Sequence, residues 1–133
     1  YTQDDRPRRA IVACRTWAKT GIFKMADIRG ASLATHAAAR EVKDNQVVCL
    51  AARAAGQAVA TAHVPQHAYG TAYYALKAIA ATSSVNTEAK VINEYNWQFR
   101  HLFEKLRLEI MSRIIIVKTN HGVSIKIQKD QDF

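Results

Sequence analysis

His63 and His67 stand four residues apart, the spacing of two metal ligands on one helix face. Pro65 falls between them, so the pair brackets a helix junction and not a regular turn. A third ligand would have to come from His36 on a neighbouring segment. Without it, both histidines read as structural residues of a buried turn, and no metal or other cofactor is assigned. Arg6, Arg8 and Arg9 cluster beside Asp4 and Asp5. They form either an anion-binding patch or a solvated helix start, whose local ion pairs are each worth little. Arg53 is a charge inside an otherwise apolar stretch and needs a partner, because burying it unpaired is expensive. Asp4, Asp5 or Glu41 is expected to supply one. Trp97, Gln98 and Arg100 are close neighbours on a segment that already has a complete apolar stripe. Tryptophan and arginine are enriched among interface hot spots, while the structural alternative is that Trp97 only widens a core contact. The sequence contains no glycine-rich phosphate loop, paired-cysteine metal pattern or Gly-x-Ser-x-Gly elbow. No set here combines a nucleophile, a base and an orienting group, so the chain does not read as an enzyme.

The element that must organise these residues is Val47–Val64, VVCLAARAAGQAVATAHV. It is rich in alanine, the strongest helix former. Arg53, Gln57 and Thr61 make one narrow polar stripe, and every other face is small or apolar. A helix apolar nearly all round is buried, and the small-residue rows Ala52/Gly56/Ala60 and Ala54/Ala58/Ala62 admit close neighbours. The other helices are expected to pack around it. Before it, Asp4 or Asp5 with Pro7 opens a first helix that ends at Gly21. A second helix runs from Ile22 to Val42, and Asp44 or Asn45 caps the central one. After Pro65, a fourth helix covers about Ala68 to Ala81. A fifth, capped by Asn86, continues from Thr87 to about Arg113 with Val91, Tyr95, Phe99, Leu102 and Leu106 on its buried side. From Ile114 the chain becomes β-branched and alternating around Asn120–His121–Gly122, a small hairpin or a frayed extension of the last helix. The fold class is therefore all-α, about five helices around residues 47–64. Residues 1–113 are expected to form a single helical domain, with 114–133 a tail or hairpin packed on it.

The chain has 133 residues and a net charge of +8, and a chain of that length folds without a metal or disulfide. Residues 1–23 carry five basic and two acidic groups, and residues 24–43 four and two. Such a basic half suits an acidic protein, an anionic surface or nucleic acid. Cys14 and Cys49 fall on separate helices and read as small buried hydrophobes, which fits the reducing cytoplasm where the protein is expected. No segment reads as a membrane span or signal peptide. Lacking an initiator methionine, the chain is expected to begin inside a longer gene product.

DDRPRRAI (4–11), SLATHAAARE (32–41), AARAAGQAVATAHVPQHA (51–68) and NWQFR (96–100) together resemble the bacterial immunity protein family numbered five of polymorphic toxin systems. The similarity covers roughly residues 3 to 107. Its most specific stretch is 51–68, where glycine, histidine and proline occupy positions that helix formation does not require. The resemblance implies an all-helical protein encoded beside a toxin, which it binds and neutralises. It supplies no contact residues, and residues 108–133 lie outside it. The partner-binding candidates from the residues themselves are Arg6, Arg8, Arg9, Trp97 and Arg100. The alternative reading, from the +8 charge, is a basic helical nucleic-acid-binding module.

Overall fold

Pro7 in the first turn and Gly21 just past the last delimit α1 (Arg6–Thr20). Gly21 takes the left-handed conformation, φ +68°, and its N–H donates to the Trp17 carbonyl at 2.7 Å. The computed structural model describes residues 3–82 and 84–128. The helices that follow α1 are α2 (Met25–Glu41), α3 (Gln46–Ala60), α4 (His67–Ala80), α5 (Thr87–His101) and α6 (Glu104–Met111). They lead into an antiparallel hairpin, β1 (Ile114–Thr119) and β2 (Gly122–Ile127), joined by the two-residue loop Asn120–His121. The chain is thus mostly helical, with the hairpin alternative realised at its C-terminal side.

Helix α3 is the hub, flanked by α1, α2 and α4. Asn45 caps it by accepting from the Val48 N–H at 3.2 Å. The Ala52/Gly56/Ala60 row is buried, and Gly56 meets α2. There the Ser32 hydroxyl donates to the Gly56 carbonyl at 3.1 Å, and the His36 ring lies over the glycine. Ala10, Ile28 and Val59 form a small core joining α1, α2 and α3. A second, larger core gathers Tyr69, Leu76, Val91, Ile110, Met111, Ile114 and Ile125 from α4, α5, α6 and the hairpin.

Four sequence expectations are corrected. Helix α2 starts at Met25, because Ile22–Lys24 form a linker after Gly21, and Ile22 stays 76% exposed. The long fifth helix breaks at Leu102–Phe103, where both residues have extended ψ angles. A continuous helix would carry Met111 about 15 Å beyond His101, at 1.5 Å per residue. The break lets α6 fold back so that Ile110 and Met111 are buried and the Tyr95 hydroxyl donates to the Met111 carbonyl at 3.0 Å. Phe99 and Leu106, expected inside, are consequently exposed. Asn86 is no side-chain cap: it sits at the N-cap with φ +67° and makes no side-chain capping hydrogen bond, while the Thr87 hydroxyl donates to the Ser84 carbonyl at 2.6 Å. The fourth correction concerns Arg53 and is taken up below.

The hairpin register pairs Ile114 with Ile127 and Ile116 with Ile125. These residues share one face with Val123, and that face packs on the larger core. An isolated two-stranded hairpin is marginal in water. Contact with α4, chiefly through β2, supplies the missing support.

Candidate interaction surface

Arg6 has become structural. Its guanidinium reaches Asp4 through Nη2 at 2.6 Å and Nε at 2.9 Å, and Glu41 through Nη1 at 3.0 Å and through Nη2. Asp4 also accepts from the Arg6 backbone N–H at 3.0 Å, so Asp4 and not Asp5 performs the capping. The clamp ties the start of α1 to the end of α2. Arg6 lowers the carboxyl pKa of both Asp4 and Glu41 through these hydrogen bonds, and the two carboxylates raise its own. Arg53 therefore does not pair with Asp4, Asp5 or Glu41. Its guanidinium lies over the Tyr74 ring, 5.9 Å from the centroid, a cation–π contact to α4 that keeps the charge half-exposed.

His63 and His67 do come together, ring centroids 5.4 Å apart, on the turn between α3 and α4. His67 Nδ1 lies 2.6 Å from Gln57 Oε1, and Gln57 occupies the space above Gly70 where a Cβ would meet it at 2.8 Å. Among the described residues no three His, Cys, Asp or Glu side chains gather to hold a metal. Burial lowers the pKa of His36, with help from Arg53, Arg40 and His67, and burial with His63 lowers that of His67. Both ordinarily titrate at 6.5. The unfolded chain then binds more protons just below that value, so folding stability is complete above it and declines as pH falls through the lowered folded pKa values. We expect the urea midpoint to fall between pH 7.5 and 5.5. Replacing both histidines with asparagine should flatten that fall. An equal fall in the double variant would assign it to other groups.

Two of the remaining candidates, Arg8 and Trp97, border an open groove. Its walls are α1 and α5 and its floor is α3 and α4. One half, about 630 Å³, is lined by Arg8, Ile11, Ala54, Ala58, Thr71 and Ala75 among others. The other half, about 470 Å³, adds Cys14, Trp17, Trp97, Gln98 and His101. The halves share Ala58, Thr71, Ala75 and Glu94 and so form one trough. The Ala54/Ala58 row of α3, read from sequence as a helix contact, is half-buried and forms part of this floor. Trp97 is 52% exposed and stacks on His101 at 4.3 Å. Trp17, across the groove, meets Phe23 edge-on at 6.5 Å.

Arg8 lines both the groove and a separate depression between α1 and α2, whereas Arg9 lines only the depression. Arg100 is exposed beside Trp97 and lines neither half. The structure thus joins Arg8 and Trp97 in one surface and leaves Arg9 and Arg100 outside it. Glu94, Gln98 and Trp17 complete the surface and were not singled out by sequence as a set. The available signal was the i, i+4 spacing of Glu94 and Gln98. Gln98 Nε2 donates to Glu94 Oε1 at 2.9 Å, and Gln98 Oε1 is buried without a hydrogen-bond partner among the described residues. The Cys14 thiol donates to the Ala58 carbonyl at 3.4 Å, and burial raises its pKa. No helix among the described residues is long and apolar enough to cross a membrane.

Residues 1–105 match the family model described as Imm-5 like putative immunity protein. The match ends inside α6, so the hairpin lies beyond it. No curated protein and no solved structure matches the chain.

Proposed function

The chain belongs to the Imm-5 like immunity family, and on that premise we propose that it binds and neutralises a cognate bacterial toxin by stoichiometric protein–protein contact in the cytoplasm. The family match over residues 1–105 is the observation that carries this reading. The exposed Arg8 and Trp97 on one groove support it, since these are residue types that dominate binding energies. A specific complex should bury about 1,200–2,000 Å². Co-expression with the toxin gene beside it is the direct test: growth is restored if the reading holds. Continued killing in the presence of soluble, folded protein would refute it.

Arg8 and Arg9 are exposed, so their charge should act mainly on the rate of encounter with an acidic partner surface. Reversing both to glutamate is expected to leave the circular dichroism spectrum and melting temperature unchanged. The association rate with the toxin at low salt should fall about ten-fold or more, the range over which charge steering acts. An unchanged rate would place the contact surface away from the start of α1.

A further inference from the structure

We infer that the groove between α1 and α5 receives one amphipathic helix of the partner protein, with its apolar face on the alanine floor and an acidic edge along Arg8, Arg15 and Lys19. This rests on the partner-binding reading above and names the surface and the chemistry that reading leaves open.

The floor sets the kind of occupant. Ala54, Ala58 and Ala75 present only methyl groups, so a third helix backbone can approach towards the short end of the usual 8–10 Å spacing and drop larger side chains between them. The wall sets its length. The α1 positions that line the groove run from Pro7 to Trp17, about 15 Å at the rise of an α-helix, or about three turns of a partner helix.

Charge sets its polarity. Arg15 follows Arg8 by seven residues and precedes Lys19 by four, spacings that align all three along one edge of α1. All three are exposed, and none has an ion pair among the described residues. Arg8 lines the groove and also the depression between α1 and α2, so this edge is a basic ridge that borders the groove on one side. An acidic edge on the incoming helix complements it.

The Gln98 amide lines one half of the groove, its Nε2 donating to Glu94 Oε1 and its Oε1 enclosed without a hydrogen-bond partner among the described residues. The amide cannot simply be turned round, because its nitrogen already donates to the Glu94 carboxylate, which only accepts. A nucleic-acid strand fits poorly: the floor is largely alanine methyl groups and Glu94 stands within the trough, which a phosphate backbone would meet as a like charge.

The test needs no knowledge of the toxin. Two labelled helical peptides of about fourteen residues would share leucines at helical spacing and carry glutamate or lysine on the flanking edge. Fluorescence anisotropy should show saturable binding of the glutamate peptide, about ten-fold tighter than the lysine peptide, the scale of three exposed ion pairs. Ala75→Leu, which fills the floor, should abolish binding, and Trp97→Ala should weaken it. If Ala75→Leu lowers the melting temperature, the triple reversal Arg8→Glu, Arg15→Glu and Lys19→Glu decides, because it should invert the preference. Equal affinity for both peptides, no saturable binding, or no inversion in the triple variant would overturn the inference. So would a concentration-dependent dimer of the protein alone that Ala75→Leu dissolves, since the occupant would then be a second copy. A chain that protects cells yet ignores both peptides sinks this inference only, and one that binds the glutamate peptide but fails to protect sinks the toxin reading only.

Discussion

Gly56→Leu is expected to destabilise the protein by about 3 kcal/mol, at the upper end of overpacking in a close-packed core. Even a bare Cβ at this position would lie 3.0 Å from His36 Cε1 and Nε2 and 3.2 Å from Cδ2. The remaining leucine atoms would have to enter the space filled by that ring. His36 cannot retreat freely, because it is half-buried between α2 and α3 and its Nδ1 is already enclosed. The Ser32 to Gly56 hydrogen bond at 3.1 Å holds the two helices at this distance, so separating them sacrifices that bond as well. For a chain of this size each kcal/mol lowers the melting temperature by about 2–8 °C. Gly30 on α2 is the control: a Cβ there meets nothing within 4 Å, and Gly30→Ala should leave the melting temperature unchanged or raise it slightly. If Gly56→Leu melts with the wild type, α2 and α3 do not cross as closely as described.

Leu76→Ala is expected to cost about 2–5 kcal/mol, the range for emptying a fully buried leucine site. Leu76 has 0% exposure and lies in the core shared by Val91, Ile110, Met111, Ile114 and Ile125. These residues come from α5, α6 and both strands, so the cavity weakens four attachments of α4 together. The hairpin should suffer first, since two strands have little stability of their own. Hydrogen exchange should therefore show amides of β1 and β2 losing protection more than amides of α2. Uniform loss across the chain would mean that the hairpin is not a separately yielding part. A destabilisation under about 1 kcal/mol would show that the core collapses around the missing methyls.

The candidate site was legible only in pieces. Arg8 and Trp97 stood out by residue type, but they are 89 positions apart in sequence, and nothing local says that they border one groove. Arg6 looked equivalent to Arg8 until the fold placed Glu41 within its reach. That pairing joins residues 35 positions apart, a long-range contact that local spacing does not encode. Arg53 shows the same limit. Its need for a partner followed from the cost of an isolated buried charge, but the choice of the Tyr74 face over a carboxylate depended on α4 lying alongside α3.

What the sequence alone determined was local and periodic: the alanine-rich hub, the Gly21 stop, a cap at Asp44 or Asn45, a break near Pro65, and an alternation after Ile114 that left a hairpin or a helical extension. Each follows from backbone preferences acting within a few residues and is realised in α1, α3 and the β1–β2 pair, except that α3 ends at Ala60, four residues before the expected Val64, and turns before Pro65 is reached. Tertiary structure decided which small-residue row of α3 meets another helix and which stays open. Alanine at 60 and alanine at 58 have identical propensity, but the first is 2% exposed and lines neither half of the groove, while the second helps form its floor. It also broke the fifth helix at Leu102 without proline or glycine, because burying Ile110 and Met111 outweighs the helical hydrogen bonds given up at the bend.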